Sequence, residues 1–136
     1  MKVKDIMSES PVTVERNDAL SIADALVRDR DIRHFPVLED GKLVGMVSQR
    51  DVLHAGLSSV MGYGSKASEA YLETVPIKEV MTEDVVTVSP DDEIAHTAKL
   101  MLSRRIGCVP VVQTGELVGI VSEVDLLRCI AEGEPS

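Results

Sequence analysis

One seven-residue pattern occurs twice in the chain. Gly45-Met46-Val47-Ser48-Gln49-Arg50-Asp51 returns as Gly119-Ile120-Val121-Ser122-Glu123-Val124-Asp125. In both copies a serine ends an apolar run, and an aspartate follows three residues later. A carboxylate so placed accepts two hydrogen bonds at once, which suits a pair of vicinal hydroxyls. The serine hydroxyl and the free amides of a helix start can meet a phosphate. The same Ser-x-x-Asp spacing also resembles a capping box, although Glu or Gln is the usual last member. The two roles are compatible, because the serine can cap when no ligand is bound.

Basic residues cluster near the first copy. Arg33-His34 precede Phe35-Pro36-Val37, whereas Gly107-Cys108 precede Val109-Pro110-Val111, and Arg50 is replaced by Val124. Arginine presents a planar fork that matches phosphate oxygens, so the two copies are expected to bind unequally. The plainer alternative is surface charge paired with Asp31 or Glu39. Thr13 and Thr87 lie in predicted strands, where threonine is favoured for packing alone. Pro36 and Pro110 fit edge strands, where a missing N–H does no harm.

These residues must be positioned by a repeated unit. Shifting the sequence by 74 lays residues 4–53 on 78–127 without a gap, and twenty of the fifty positions are identical. Each repeat predicts the order β-α-β-β-α. A strand at Val12-Thr13-Val14 is followed by a helix capped by Asn17 or Asp18, with Leu20, Ala23, Leu26 and Val27 on its inner face. A second strand runs through Phe35–Leu38. Asp40-Gly41 is a hairpin turn needing positive φ, and the returning strand is Lys42–Val47. A second helix starts at Ser48. A short helical lead-in at Val3–Met7 precedes the unit. In the second repeat Asp91 or Asp92 caps, Ile94, Ala98, Met101 and Leu102 face inward, and Thr114-Gly115 makes the turn. The domains are expected at 1–60 and 76–136, with a linker at 61–75. Within the connection, Ser65–Glu73 could form a short helix, and Pro76 suits the first turn of the next lead-in. A repeat of about 50 residues buries too little surface to stand alone, so the halves should pack as one module.

Composition narrows the function. The chain has 136 residues, 44% of them hydrophobic and 27% charged, with a net charge of −9. Such a balance disfavours nucleic acid and anionic membrane as partners. It permits a small phosphate ligand, because salt screens the long-range field beyond about 8 Å. Cys108 and Cys129 have no metal or redox spacing, which fits a reducing compartment. No signal-peptide core follows Met1, and no apolar run approaches the roughly 20 residues of a membrane span. A cytoplasmic location is expected.

The ordered set Met-Ser or Met-Thr, Val-Thr-Val, Asp, amphipathic helix, Ile-x-x-x-Pro-Val, turn Gly, and Leu-Val-Gly-x-Val-Ser-x-x-Asp resembles the CBS domain, twice over nearly the whole chain. The resemblance implies a mixed α/β (α+β) fold of two tandem repeats related by a pseudo-twofold, the unit called a Bateman module. It implies a non-catalytic regulatory function, with AMP, ADP, ATP or S-adenosylmethionine bound in clefts between the repeats. It also implies a homodimer and a separate regulated protein. On the matching positions, Asp51 and Asp125 would hold the ribose hydroxyls, and Ser48 and Ser122 would lie beside the phosphate. Thr13, Thr87, Pro36 and Pro110 would border the base, and Arg33, His34 and Arg50 would contact phosphate. The alternative function is a constitutive dimerisation or interaction module with empty clefts.

Other signals are weak. Gly62-Tyr63-Gly64-Ser65-Lys66 lacks the ending of a phosphate-binding loop and no strand clearly precedes it. His34, His54 and His96 have no zinc-like spacing. Cys108 is expected as a small core residue, and the methionines as core fillers. No catalytic constellation stands out.

Overall fold

A computed structural model describes residues 1–57 and 66–133. The glycine-rich stretch at 62–65 and the first five residues of the expected linker lie outside them. The described residues hold two three-stranded sheets and five α-helices. They divide into two compact units. One is Val12–Val85, here the repeat-1 unit; the other joins Met1–Pro11 to Val86–Ser136, here the repeat-2 unit.

In the repeat-1 unit, β2 (Val14–Glu15) leads through α1 (Leu20–Arg30) to β3 (His34–Glu39). Strands β2 and β3 pair in parallel, with Val14 opposite Val37, as a helical crossover requires. Asp40 and Gly41 both take positive φ, 52° and 78°. That is the type I′ geometry the Asp-Gly pair predicts. The chain returns as β4 (Lys42–Ser48), antiparallel to β3, and enters α2 (Gln49–Leu57) directly. Helix α3 (Lys66–Leu72) and a 3-10 turn at Ile77–Glu79 complete the unit. On α1, Leu20, Ala23 and Val27 are buried at the spacing expected of one helix face. They meet Phe35, Val37 and Val47 from the sheet, Val52 from α2 and Leu72 from α3. Each of the Val, Leu and Phe side chains among them contributes about 1.5–3 kcal/mol on burial.

The repeat-2 unit repeats the plan. Helix α4 (Ile94–Arg104), strands β5 (Cys108–Gln113) and β6 (Glu116–Ser122), and helix α5 (Glu123–Glu132) follow in order. Thr114 and Gly115 form the same turn, at φ 53° and 81°. Its 3-10 turn is Val3–Asp5, and β1 (Ser8–Glu9) pairs antiparallel with β6. The core gathers Val3, Val88, Met101, Val109, Val111 and Val121.

Several local expectations need correction. The strand read at Val12–Val14 begins only at Val14, and its counterpart in the second repeat is a single bridge, Val88 to Val111. The helix caps are not aspartates. Ala19 and Glu93 occupy the N-cap positions without side-chain caps. Asp18 instead accepts the Glu15 N–H, and Asp92 accepts the Ser89 N–H, each at 2.9 Å. Both carboxylates close the turn before the helix rather than the helix itself. The free N–H groups of Leu20 and Ile94 donate to the carbonyls of Val75, at 2.7 Å, and Met1, at 3.2 Å. Leu102 is 78% exposed, because Thr97 and Met101 define the inner face of α4 and Leu102 sits about 100° around from Met101. Pro36 is in the central strand of its sheet, not at an edge. It lies opposite Met46, whose N–H and C=O both bond Thr82, so no ladder bond to Pro36 is missing there.

Candidate ligand-binding site

The passage from β4 into α2 places the first pair of candidate residues. Ser48 ends the strand and Asp51 lies in the first helical turn. The Asp51 carboxylate accepts through Oδ2 from both the Ser48 N–H, 2.8 Å, and the Ser48 hydroxyl, 3.0 Å. The Asp51 N–H donates back to Ser48 Oγ at 3.2 Å. The capping box is therefore formed, with aspartate doing what glutamate usually does. Its shorter side chain suffices because the backbone has already turned into the helix. Both bonds that the carboxylate accepts use Oδ2. Asp51 Oδ1 has no hydrogen-bond partner among the described residues. Ser122 and Asp125 repeat the arrangement at 2.8, 3.1 and 3.3 Å.

The segment before β3 is tied to the same place. The Gln49 N–H donates to the Arg33 carbonyl at 2.8 Å, and His34 lies opposite Ser48 in the sheet. Arg33, His34, Ser48 and Asp51 are thus near neighbours in the backbone. The Arg33 side chain is exposed, with its Nε 3.9 Å from Asp31. Glu39 pairs with Arg16 at 3.0 Å, so the alternative of an Arg33–Glu39 pair is not realised.

A cavity of about 370 Å³ lies against α2, lined by Arg50, Asp51, His54, Ala55 and Val80. Arg50 and Asp51 were singled out in the sequence; His54 and Val80 were not. His54 follows Arg50 by four residues and Asp51 by three, which puts all three on neighbouring turns. Periodicity counted from Asp51 would have found it. Val80 follows directly on the 3-10 turn, more than twenty residues further on, and no local pattern marks it. Thr13 is half-buried just ahead of β2, and Thr87 is exposed; Pro36 and Pro110 are buried. None of these four lines the cavity.

The head of α5 differs chemically. Glu123 donates its N–H to the Gly107 carbonyl at 2.9 Å, as Gln49 does to Arg33. Its carboxylate lies close to Gly107, where a Cβ would meet Oε1 at 3.4 Å. Cys108 is buried in β5, and its thiol is pushed up to about 12, first by burial and then by the nearby Asp125 charge. No cluster of three or more metal-ligating side chains occurs among the described residues. No described helix is long and apolar enough to cross a membrane.

The model of the CBS domain matches residues 3–58 and again 77–132. The chain belongs to the CBS domain family. Like this chain, the acetoin utilization protein AcuB of Vibrio cholerae, so described as putative, has this fold. It is 37% identical at a TM-score of 0.77, over 99% of this chain and 98% of that one. The CBS domain pair of protein MJ0100, solved in complex with 5′-methylthioadenosine and S-adenosyl-L-methionine, is 29% identical at a TM-score of 0.78, over 98% of both chains. Protein MJ1404 of Methanocaldococcus jannaschii is 33% identical over 135 residues. The match takes in 96% of this chain but only 32% of that protein's length. The chain is therefore a tandem CBS pair of mixed α/β structure.

Proposed function

We propose that this CBS pair is a non-catalytic regulatory module of the cytoplasm. It binds an adenosine-type nucleotide (AMP, ADP, ATP or S-adenosylmethionine) and passes the ligand's level to a regulated protein through a change of conformation. The observation that carries this reading is the Ser48–Asp51 box beside the 370 Å³ cavity. One carboxylate oxygen is held by the cap while the other is left to accept from a sugar hydroxyl. Rigidity of this kind reduces the ordering cost of binding. The pair in MJ0100, held with two adenosine compounds, supports the choice of ligand class. Ligand can drive a conformational change only by binding one state better than the other.

Isothermal titration calorimetry with AMP, ATP and S-adenosylmethionine tests the reading. A hydrogen bond to a charged group contributes about 1.5–3 kcal/mol, so Asp51→Ala and Asp125→Ala should each weaken binding at their own repeat roughly 10- to 100-fold. Unchanged affinity in both variants rejects the assignment. Circular dichroism of each variant separates lost binding from lost structure.

A second reading is favoured by one feature. Helix α5 buries none of its residues, and Val124, Leu127 and Ile130 recur along it at three-residue spacing, 52%, 64% and 80% exposed. A constitutive homodimer or interaction module would cover that stripe whether or not ligand binds. A thermal-shift screen separates the two readings. Ligand at 100 times its dissociation constant stabilises by about 2.7 kcal/mol, whereas a flat response to every adenine compound favours the dimerisation module.

A further inference from the structure

Met7 and Met81 stand at matching places in the two repeats, and each sets its thioether against a glycine of a returning strand. Gly45 and Gly119 are both buried. A Cβ on Gly45 would fall 2.8 Å from Met81 Sδ and 3.2 Å from its Cγ. One on Gly119 would meet Met7 Sδ at 2.7 Å and its Cγ at 3.2 Å. Each sulfur thus fills the notch that a missing side chain leaves. Around Met81 the neighbouring amides are already engaged. The Met46 N–H donates to the Thr82 carbonyl at 2.9 Å, and the Thr82 N–H donates to the Met46 carbonyl at 2.8 Å. Both methionines are only half-buried, so a small solute reaches them, whereas Met101 is 5% exposed. Met81 differs from Met7 in what stands beside it. Val80, the preceding residue, packs on the same core and lines the repeat-1 cavity with Arg50, Asp51 and Ala55.

We propose that Met81 is an oxidation site, and that its conversion to the sulfoxide by hydrogen peroxide disables the repeat-1 cavity. The thioether sulfur attacks one peroxide oxygen. The S–O bond forms as the O–O bond breaks, and the proton on the transferred oxygen passes to the departing hydroxide, which leaves as water. Sulfur gives up two electrons and the peroxide takes them. A sulfoxide is polar, and burying it without a hydrogen-bond donor is costly. The Met46 and Thr82 amides have none to spare. The Met81 tail therefore leaves the notch for solvent and loosens the lead-in turn, and Val80 moves with that turn. Reduction of the sulfoxide reverses the change. The effect on ligand rests on the nucleotide-binding reading; the site of oxidation does not.

The chain is treated with hydrogen peroxide, then with dithiothreitol to restore its thiols, and mapped by peptide mass spectrometry. Met7 and Met81 should each gain one oxygen and Met101 none. In calorimetry with AMP, ATP and S-adenosylmethionine, each compound that binds the repeat-1 cavity should bind the treated chain about 10-fold more weakly. Met81→Leu nearly conserves volume and should keep its affinity through the treatment, whereas Met7→Leu should give no protection. Methionine sulfoxide reductase should restore the treated chain. Met81→Gln, polar and of similar length, should bind weakly without any oxidant. A Met81 that resists peroxide, or an equal loss of affinity in treated Met81→Leu, overturns the inference and leaves the nucleotide-binding reading standing. If none of the three compounds binds the untreated chain, that reading falls and the urea midpoint decides the inference. Peroxide should then lower the midpoint of the unaltered chain more than that of Met81→Leu; equal falls overturn it.

Discussion

Thr97 stands where Ala23 stands one repeat earlier, and both are fully buried. Its Oγ1 has no hydrogen-bond partner among the described residues. An unpaired buried hydroxyl costs about 1–3 kcal/mol, and valine has nearly the same shape without it. Thr97→Val should therefore raise the urea midpoint by the equivalent of about 1 kcal/mol; a lower midpoint would show that the hydroxyl is paired. Cys108 gives a pH prediction. Its thiol keeps its proton in the folded chain up to about 12, while in the unfolded chain it titrates at the ordinary 9.0. Folding stability is then untouched by this group below pH 9 and falls as pH rises from about 9 to about 12. Cys108→Ala should flatten that alkaline decline in denaturation curves taken across the window; an equally steep decline would assign it to other groups. At this scale the sequence already displays Ser48, Asp51, Ser122 and Asp125, because their whole geometry is local. His54 is missed because its meaning depends on the helix phase of Asp51, and Val80 because a distant segment carries it in.

The order of elements is readable for similar reasons. Hairpins with Asp-Gly and Thr-Gly turns, amphipathic helices and the repeated strand pair each depend on short-range chemistry. The helix caps are not readable, since the carbonyls that receive the Leu20 and Ile94 amides come from Val75 and Met1. The short strand β1 is hidden as well: Ser8–Glu9 has no strand-like composition and pairs only because β6 is there to receive it. What fits these lead-in segments to the sheets is a glycine in each returning strand. A Cβ on Gly45 would fall 2.8 Å from Met81 Sδ and 2.9 Å from the Thr82 carbonyl. One on Gly119 would fall 2.7 Å from Met7 Sδ and 2.9 Å from the Ser8 carbonyl. The methionine tails can move aside, but the carbonyls belong to backbone paired with the strand. Gly45→Ala and Gly119→Ala should each cost about 1–3 kcal/mol by overpacking, seen as a fall in urea midpoint. Unchanged midpoints would mean that the lead-ins shift freely.

Across the whole molecule, the duplication is the feature most open to reading, because twenty identities at one offset need no structural knowledge. The unequal chemistry of the copies is visible only in part. Replacement of Arg33 and Arg50 by Gly107 and Val124 shows in the alignment, but the approach of Glu123 to Gly107 does not, since it depends on the turn from β6 into α5. The exposed stripe of α5 is also a molecular-scale property, and its burial by a second copy would explain why four large apolar side chains on α4 and α5 remain uncovered. Leu127→Glu combined with Ile130→Glu should convert a dimer to a monomer in sedimentation velocity without loss of helix content. A dimer of unchanged mass would place the interface elsewhere.

The sugar contact is tested most directly by titrating the chain with AMP and with its 2′-deoxy and 2′,3′-dideoxy analogues under identical salt. If the free oxygen of Asp51 accepts from a ribose hydroxyl, removal of the hydroxyls should weaken binding about 10- to 100-fold, and Asp51→Asn should narrow the gap between AMP and its analogues. Equal affinity for all three nucleotides would contradict the account, because the carboxylate would then have no part in holding the sugar.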